Sequence, residues 1–174
     1  MEKLNAITSQ DAATGCKLQP DAALAALAEK YQSRLGCPVA AAVGGEFAEQ
    51  PFQNGFMIWT GIYGEIYTMV GEKTGYWDMW DKKTVDSYGS SDTGSCTVRV
   101  PEGFYQPVRG FGAVWCANPA LQKEIGYGLS PEYAVSNNLI QKFENGVMLR
   151  DSKGRVFVLF DSGMTFVRED PAKE

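Results

Sequence analysis

Apolar positions along the chain follow two periods. After Pro20-Asp21, residues Leu24, Leu27, Tyr31 and Leu35 recur at helical spacing in an Ala- and Leu-rich run. They predict a helix over Ala22–Arg34, stopped at Gly36 and turned away by Cys37-Pro38. Residues 39–50, with Gly44-Gly45, read as a loop of small residues. The period then shortens to two. Phe56–Trp59 and Glu65–Val70 read as strands, the second with Ile66 and Thr68 on one face and Tyr67 and Met69 on the other. In the second half Asn118-Pro119 opens a short helix over Pro119–Glu124, with Asn118 as its cap. Leu129–Glu132 adds a helical turn, and Ile140–Phe143, Val147–Arg150, Arg155–Phe160 and Met164–Val167 read as strands.

Part of this pattern occurs twice. Gln50–Trp59 (QPFQNGFMIW) returns as Gln141–Arg150 (QKFENGVMLR) about ninety residues later, with Phe, Asn, Gly and Met in the same places. Leu35-Gly36 answers Ile125-Gly126, and Ile66-Tyr67 answers Val156-Phe157. An internal repeat predicts architecture. The expected fold is α+β, built of two related units, each a helix plus a small antiparallel sheet or meander. The expected boundaries are an arm over 1–19, unit one over 20–80, a polar linker over 81–106, unit two over 107–170 and a frayed tail over 171–174. Each Asn-Gly sets a turn, with Phe52 and Phe143 in equivalent core sites. Where the copies disagree, at Trp59 against Arg150 and Cys37 against Tyr127, a specific function is to be sought.

Composition narrows the function classes. The chain has 174 residues and a net charge of −5 with scattered Lys and Arg, which disfavours nucleic acid and anionic lipid. It has no histidine, which excludes His-assisted nucleophiles and the commonest metal ligand. Apolar runs fall short of the ~20 residues that span a bilayer, so no membrane insertion is expected. MEKLNAITSQ lacks the apolar centre of a signal peptide; an exported protein would begin here after its signal had been removed.

Cys16, Cys37, Cys96 and Cys116 contain no CxxC pair, so zinc is not expected and two disulfides in an oxidising compartment are preferred over buried thiols. Bridged cysteines need Cα atoms within about 7 Å. With a helix of about fifteen residues, ~22 Å long, between them, Cys16–Cys37 with Cys96–Cys116 is the least favoured pairing. Cys37–Cys96 with Cys16–Cys116 is preferred.

Leu35-Gly36-Cys37-Pro38, followed by Phe52, Asn54-Gly55, Met57 and Trp59, resembles the LGFP repeat of bacterial secreted and cell-wall-associated proteins. Ile125-Gly126-Tyr127-Gly128 lacks the proline, and Arg150 replaces the tryptophan. Pro107–Trp115 (PVRGFGAVW) is similar to the stretch joining units in uncharacterised paired-repeat segments of exported bacterial proteins. The resemblance implies an extracytoplasmic, non-catalytic module that anchors or binds at the cell surface, with no catalytic residue and no cofactor. Its partner is then a cell-wall or other glycan, or a protein, and an oligomer is compatible.

Among the aromatic residues Trp59, Tyr63, Tyr76, Trp77, Trp80 and Trp115, the set Tyr76, Trp77 and Trp80 is the preferred stacking platform for a sugar ring. Asp78 or Asp81 would accept hydroxyl hydrogen bonds there. Strand-borne Trp59 and Trp115 read as core. Glu46, Glu49, Glu144, Asp151 and Asp161 are the acids from which a polysaccharide hydrolase would draw its carboxylate pair, an alternative reading. A subunit of an extracellular assembly is another. No calcium loop or phosphate-binding glycine motif is present. Arg109 reads as pinning a backbone turn through carbonyls.

Overall fold

The computed structural model describes residues 15–89, 96 and 98–173. The protein is α+β, with short helices and one nine-stranded antiparallel sheet. In chain order the elements are α1 (Ala25–Lys30), α2 (Gln32–Leu35), β1 (Phe47–Phe52), β2 (Gly55–Thr60), β3 (Glu65–Val70), β4 (Thr74–Trp80) and α3 (Lys82–Ser87). There follow α4 (Arg109–Ala117), α5 (Pro119–Ile125), β5 (Tyr133–Val135), β6 (Leu139–Phe143), β7 (Gly146–Arg150), β8 (Val156–Phe160) and β9 (Thr165–Glu169). A 3₁₀ turn, Ser162–Met164, joins β8 to β9.

β1–β4 and β6–β9 are meanders of consecutive hairpins, joined where Thr74–Tyr76 of β4 pairs with Thr165–Val167 of β9. β5 pairs with the outer edge of β1, and Val43 bridges Ile140 of β6, so short segments stitch the two ends of the sheet. The sheet is strongly curled. β2 and β8 are four ladder steps apart, about 19 Å across a flat sheet, yet Phe56 of β2 stacks on Phe157 of β8 with ring centroids 5.5 Å apart. The inner face is one apolar cluster drawn from both meanders, including Phe47, Ile58, Met69 and Trp77 with Ile140, Leu149, Leu159 and Phe166.

The helices cover the outer face crosswise. Leu24, Ala28 and Leu35 pack on Phe143, Met148, Val158 and Phe160 of the second meander. Phe111, Val114, Trp115 and Ile125 pack on Phe52, Met57 and Ile66 of the first. The expectation of a helix on the sheet of its own unit is corrected accordingly. The halves share one sheet, and each supplies the other's helical cover. Backbone bonds repeat the crossing: Asn145 N–H donates to Leu35 O at 2.9 Å, and Asn54 N–H to Ile125 O at 3.0 Å. Phe52 and Phe143 are both buried, each beneath the other half's helices.

Several local expectations change. The helix predicted over Ala22–Arg34 breaks at Tyr31 (φ −106°, ψ 11°) into α1 and α2. Residues 47–52 form a strand rather than a loop, and the hairpin turns are Gln53-Asn54 and Glu144-Asn145, with each glycine opening the next strand. Gly55 and Gly146 are required by close approach: an added Cβ would stand 2.2 Å from Met69 O and 2.0 Å from Leu159 O respectively. The linker expectation over 81–106 is interrupted by α3, which Asp81 caps through a 2.7 Å bond from Thr84 N–H. Trp115 lies on a helix, not a strand. Asn118 does not cap α5; its side-chain amide donates back to Val114 O at 2.6 Å. Leu129–Glu132 is not helical and leads into β5.

The preferred disulfide pairing is also overturned. Cys16 bonds Cys37 and Cys96 bonds Cys116, with Cα separations of 5.5 and 5.1 Å. The objection to Cys16–Cys37 assumed a helix of about fifteen residues holding the two cysteines at its opposite ends. In fact the segment before Ala25 is a non-helical leader that returns along the short, broken helix. Gln141 holds it, donating to Gln19 O and accepting from Asp21 N–H.

Candidate functional site: a cleft between β1–β3 and α4

The sequence-chosen platform lies on β4, and strand alternation divides it. Trp77 points to the inner face, is buried, and donates its indole N–H to Phe160 O at 3.0 Å. It therefore offers no ring face to a ligand. Tyr76 (68% exposed), Asp78 and Trp80 share the outer face. There Trp80 is half-buried and donates to Thr68 Oγ1, and Asp78 accepts from Met79 N–H. Trp115 is buried as expected, donating to Gly126 O.

Trp59 is not core. It is half-buried on the outer face of β2 and lines an open cleft of about 690 Å³. Period two sets this orientation: Phe56 and Ile58 face the inner core, so Met57 and Trp59 face outward. The floor is apolar, made by Trp59, Ala48, Ile66 and Phe111, the last delivered by the first turn of α4. Ile62, which is 60% exposed, and Tyr63 form one wall on the β2–β3 turn; Val85 of α3 and Tyr133-Ala134 of β5 form others. The rim carries Glu46, Lys82, Asp86, Arg109 and Glu132.

Those rim charges are largely paired. Lys82 Nζ lies 2.5 Å from Asp86 Oδ2, and Arg109 Nε 2.5 Å from Glu132 Oε1. Arg109 thus engages a carboxylate across the cleft rim. It has a positive φ of 51°, rare for a non-glycine residue, and stands beside Gly110, where an added Cβ would meet Ile66 Cδ1 at 3.0 Å. Behind the wall, Lys142 Nζ sits 4.0 Å over the Tyr63 ring and 2.8 Å from Glu65 Oε1, while Tyr67 donates its hydroxyl to Glu65 Oε2 at 2.6 Å. Burial, reinforced by the Glu65 carboxylate, pushes the Tyr67 phenol well above its ordinary range. The Tyr133 phenol is pushed up to about 12, first by burial and then by the nearby Glu49 carboxylate.

Of the five acids considered for hydrolysis, only Glu46 lines the cleft. Glu49 is fully buried and accepts from Asn138 Nδ2 (2.7 Å), Ser152 N–H (2.8 Å) and Ser152 Oγ (2.7 Å). Asp151 is fully buried and paired with Arg155 at 2.6 Å. Glu144 caps Cys37 N–H at 2.8 Å, and Asp161 is exposed on the β8–β9 turn. Among the described residues no cluster of three His, Cys, Asp or Glu could hold a metal ion, and no helix is long and apolar enough to cross a membrane.

The residues that sequence reasoning missed here are Lys82, Phe111, Glu132 and Tyr133. One signal pointed to the place, the disagreement of Trp59 with Arg150. At that second position Arg150 donates to Asn137 O at 3.3 Å. No protein-family model, curated protein or solved structure matches this chain.

Proposed function

We propose that this is a non-catalytic binding module working outside the cytoplasm at a bacterial cell surface, built of two related, LGFP-like helix-plus-meander units. Its ligand is a glycan, held in the cleft over Trp59. The observation that carries this reading is Trp59 itself, a half-buried indole on the floor of an open apolar cleft. It stands where the second half has Arg150. Sugar rings present an apolar C–H face and a perimeter of hydroxyls. The first stacks on indole and phenol rings, and the second needs donors and acceptors held in place. The Arg109–Glu132 and Lys82–Asp86 pairs supply both at the rim. Two disulfides are consistent with an oxidising, extracytoplasmic setting. The near-matching backbone crossings at Leu35/Asn145 and Ile125/Asn54 support descent of the halves from one unit.

Pull-down with purified cell walls and soluble cell-wall glycans tests the reading. Wild type and Trp77→Phe should be retained, and Trp59→Ala should lose at least tenfold in affinity while keeping its thermal midpoint. Equal retention of wild type and Trp59→Ala would reject the cleft as the site.

A further inference from the structure

Both disulfides close inside one half of the chain, Cys16–Cys37 ahead of β1 and Cys96–Cys116 ahead of β5. The noncovalent core, by contrast, lies between the halves. The inner cluster draws on both meanders, α1 and α2 cover the second meander, and α4 and α5 cover the first. β4 pairs with β9, and the salt bridge of Glu65 with Lys142 and the bonds of Glu49 to Ser152 also cross. Separated from the other, either half would expose an inner and an outer apolar sheet face together with the apolar side of its helices. The only covalent tie between the halves is the chain joining β4 to Cys96.

We infer that the surface on which the two halves meet also joins two copies of this chain. The first half of one copy seats on the second half of the other, and reciprocally, in a closed two-fold dimer. The contacts described between the halves are reproduced, and no disulfide has to break, so the forms differ chiefly in how the halves are tethered. Exchange of this kind is a low-cost route to dimers. Tethering within one chain gives the intramolecular pairing an effective concentration of the order of millimolar, so the monomer dominates in dilute solution and the dimer grows as protein concentration approaches that range. The cleft is itself composite, with Trp59 and Tyr63 from one half and Arg109, Phe111 and Tyr133 from the other. Each cleft of the dimer would be completed by two chains.

The test unfolds the protein in guanidinium without reductant and refolds it at protein concentrations from micromolar to near millimolar, followed by size exclusion with light scattering. A discrete dimer whose fraction rises with refolding concentration and persists on dilution is expected. Monomer mass throughout overturns the inference. Exchange is separated from side-by-side adhesion with Tyr76→Cys/Thr165→Cys, a pair directly opposed across β4 and β9. Oxidised in the dimer fraction, it should give a covalent dimer on a non-reducing denaturing gel. Release of monomers carrying the internal cross-link would contradict exchange. Should that variant fail to fold, an exchanged wild-type dimer still reveals itself when mixed with dimer of a mass-tagged chain: no mixed species forms until the protein is unfolded and refolded, whereas adhesive dimers mix on dilution.

Discussion

Gly36 and Gly126 hold the same uncommon backbone conformation, φ 73°, ψ −153° and φ 81°, ψ −155°, each closing a helix that lies on the other half's hairpin. This region of backbone space is essentially reserved for glycine. An added Cβ on Gly36 would stand 3.1 Å from Glu144 Cβ, and one on Gly126 3.0 Å from Gln53 Cβ. Gly36→Ala and Gly126→Ala should each lose about 1–3 kcal/mol in urea unfolding. A loss under about 0.5 kcal/mol at both positions would contradict the crossing geometry.

Glu49 breaks the near-symmetry of the halves, since Ile140 takes the corresponding place on β6. Its carboxylate accepts from three donors, the buried Asn138 amide and the backbone and hydroxyl of partly buried Ser152. Glu49→Ala strands all three, and leaving one such group unpaired costs about 1–3 kcal/mol. The loss should therefore exceed that of Glu49→Gln, which keeps an acceptor for two of them. Equal midpoints for the two variants would show that the buried bonds contribute little.

Non-reducing peptide mapping should link Cys16 with Cys37 and Cys96 with Cys116. Replacing either pair by serine should cost about 3 kcal/mol, the chain-entropy value for loops of this size. A fragment joining Cys37 to Cys96 would refute the arrangement of the leader.

How legible this was depends on the element. The strands after each Asn-Gly are short continuous apolar runs, Phe56–Trp59 and Val147–Leu149, and they stand where expected. β1 was hidden because Phe47–Phe52 contains Glu49 and Gln50, polar side chains buried against partners far away in sequence. α4 was hidden because RGFGAVWCA carries two glycines and aromatic residues that disfavour an isolated helix; burial of Phe111, Val114 and Trp115 overrides propensity. The likeness of Gln50–Trp59 to Gln141–Arg150 was readable, but no local pattern says that a helix covers the other half's sheet. The cleft was half readable. Trp59 stood out as a difference between copies, whereas Arg109 and Glu132 come together only through the fold.

Tyr133 and Tyr67 predict the alkaline limb of stability. A phenol whose folded pKa is raised keeps its proton in the native state when the unfolded chain has lost it. Its contribution is then complete below about pH 10. For Tyr133 it is lost as pH rises through about 12. Stability should fall across that window, and Tyr133→Phe should flatten the fall. An absorbance titration in which all tyrosines of the folded protein ionise together near pH 10 would contradict this.

Binding of a glycan over Trp59 can be followed through the four tryptophan indole N–H resonances during titration with soluble cell-wall oligosaccharide. The Trp59 resonance should shift saturably, while Trp77 and Trp115, both buried and bonded to carbonyls, stay in place. A shift confined to Trp80 would move the site to the outer face of β4, and no shift at Trp59 would contradict the account.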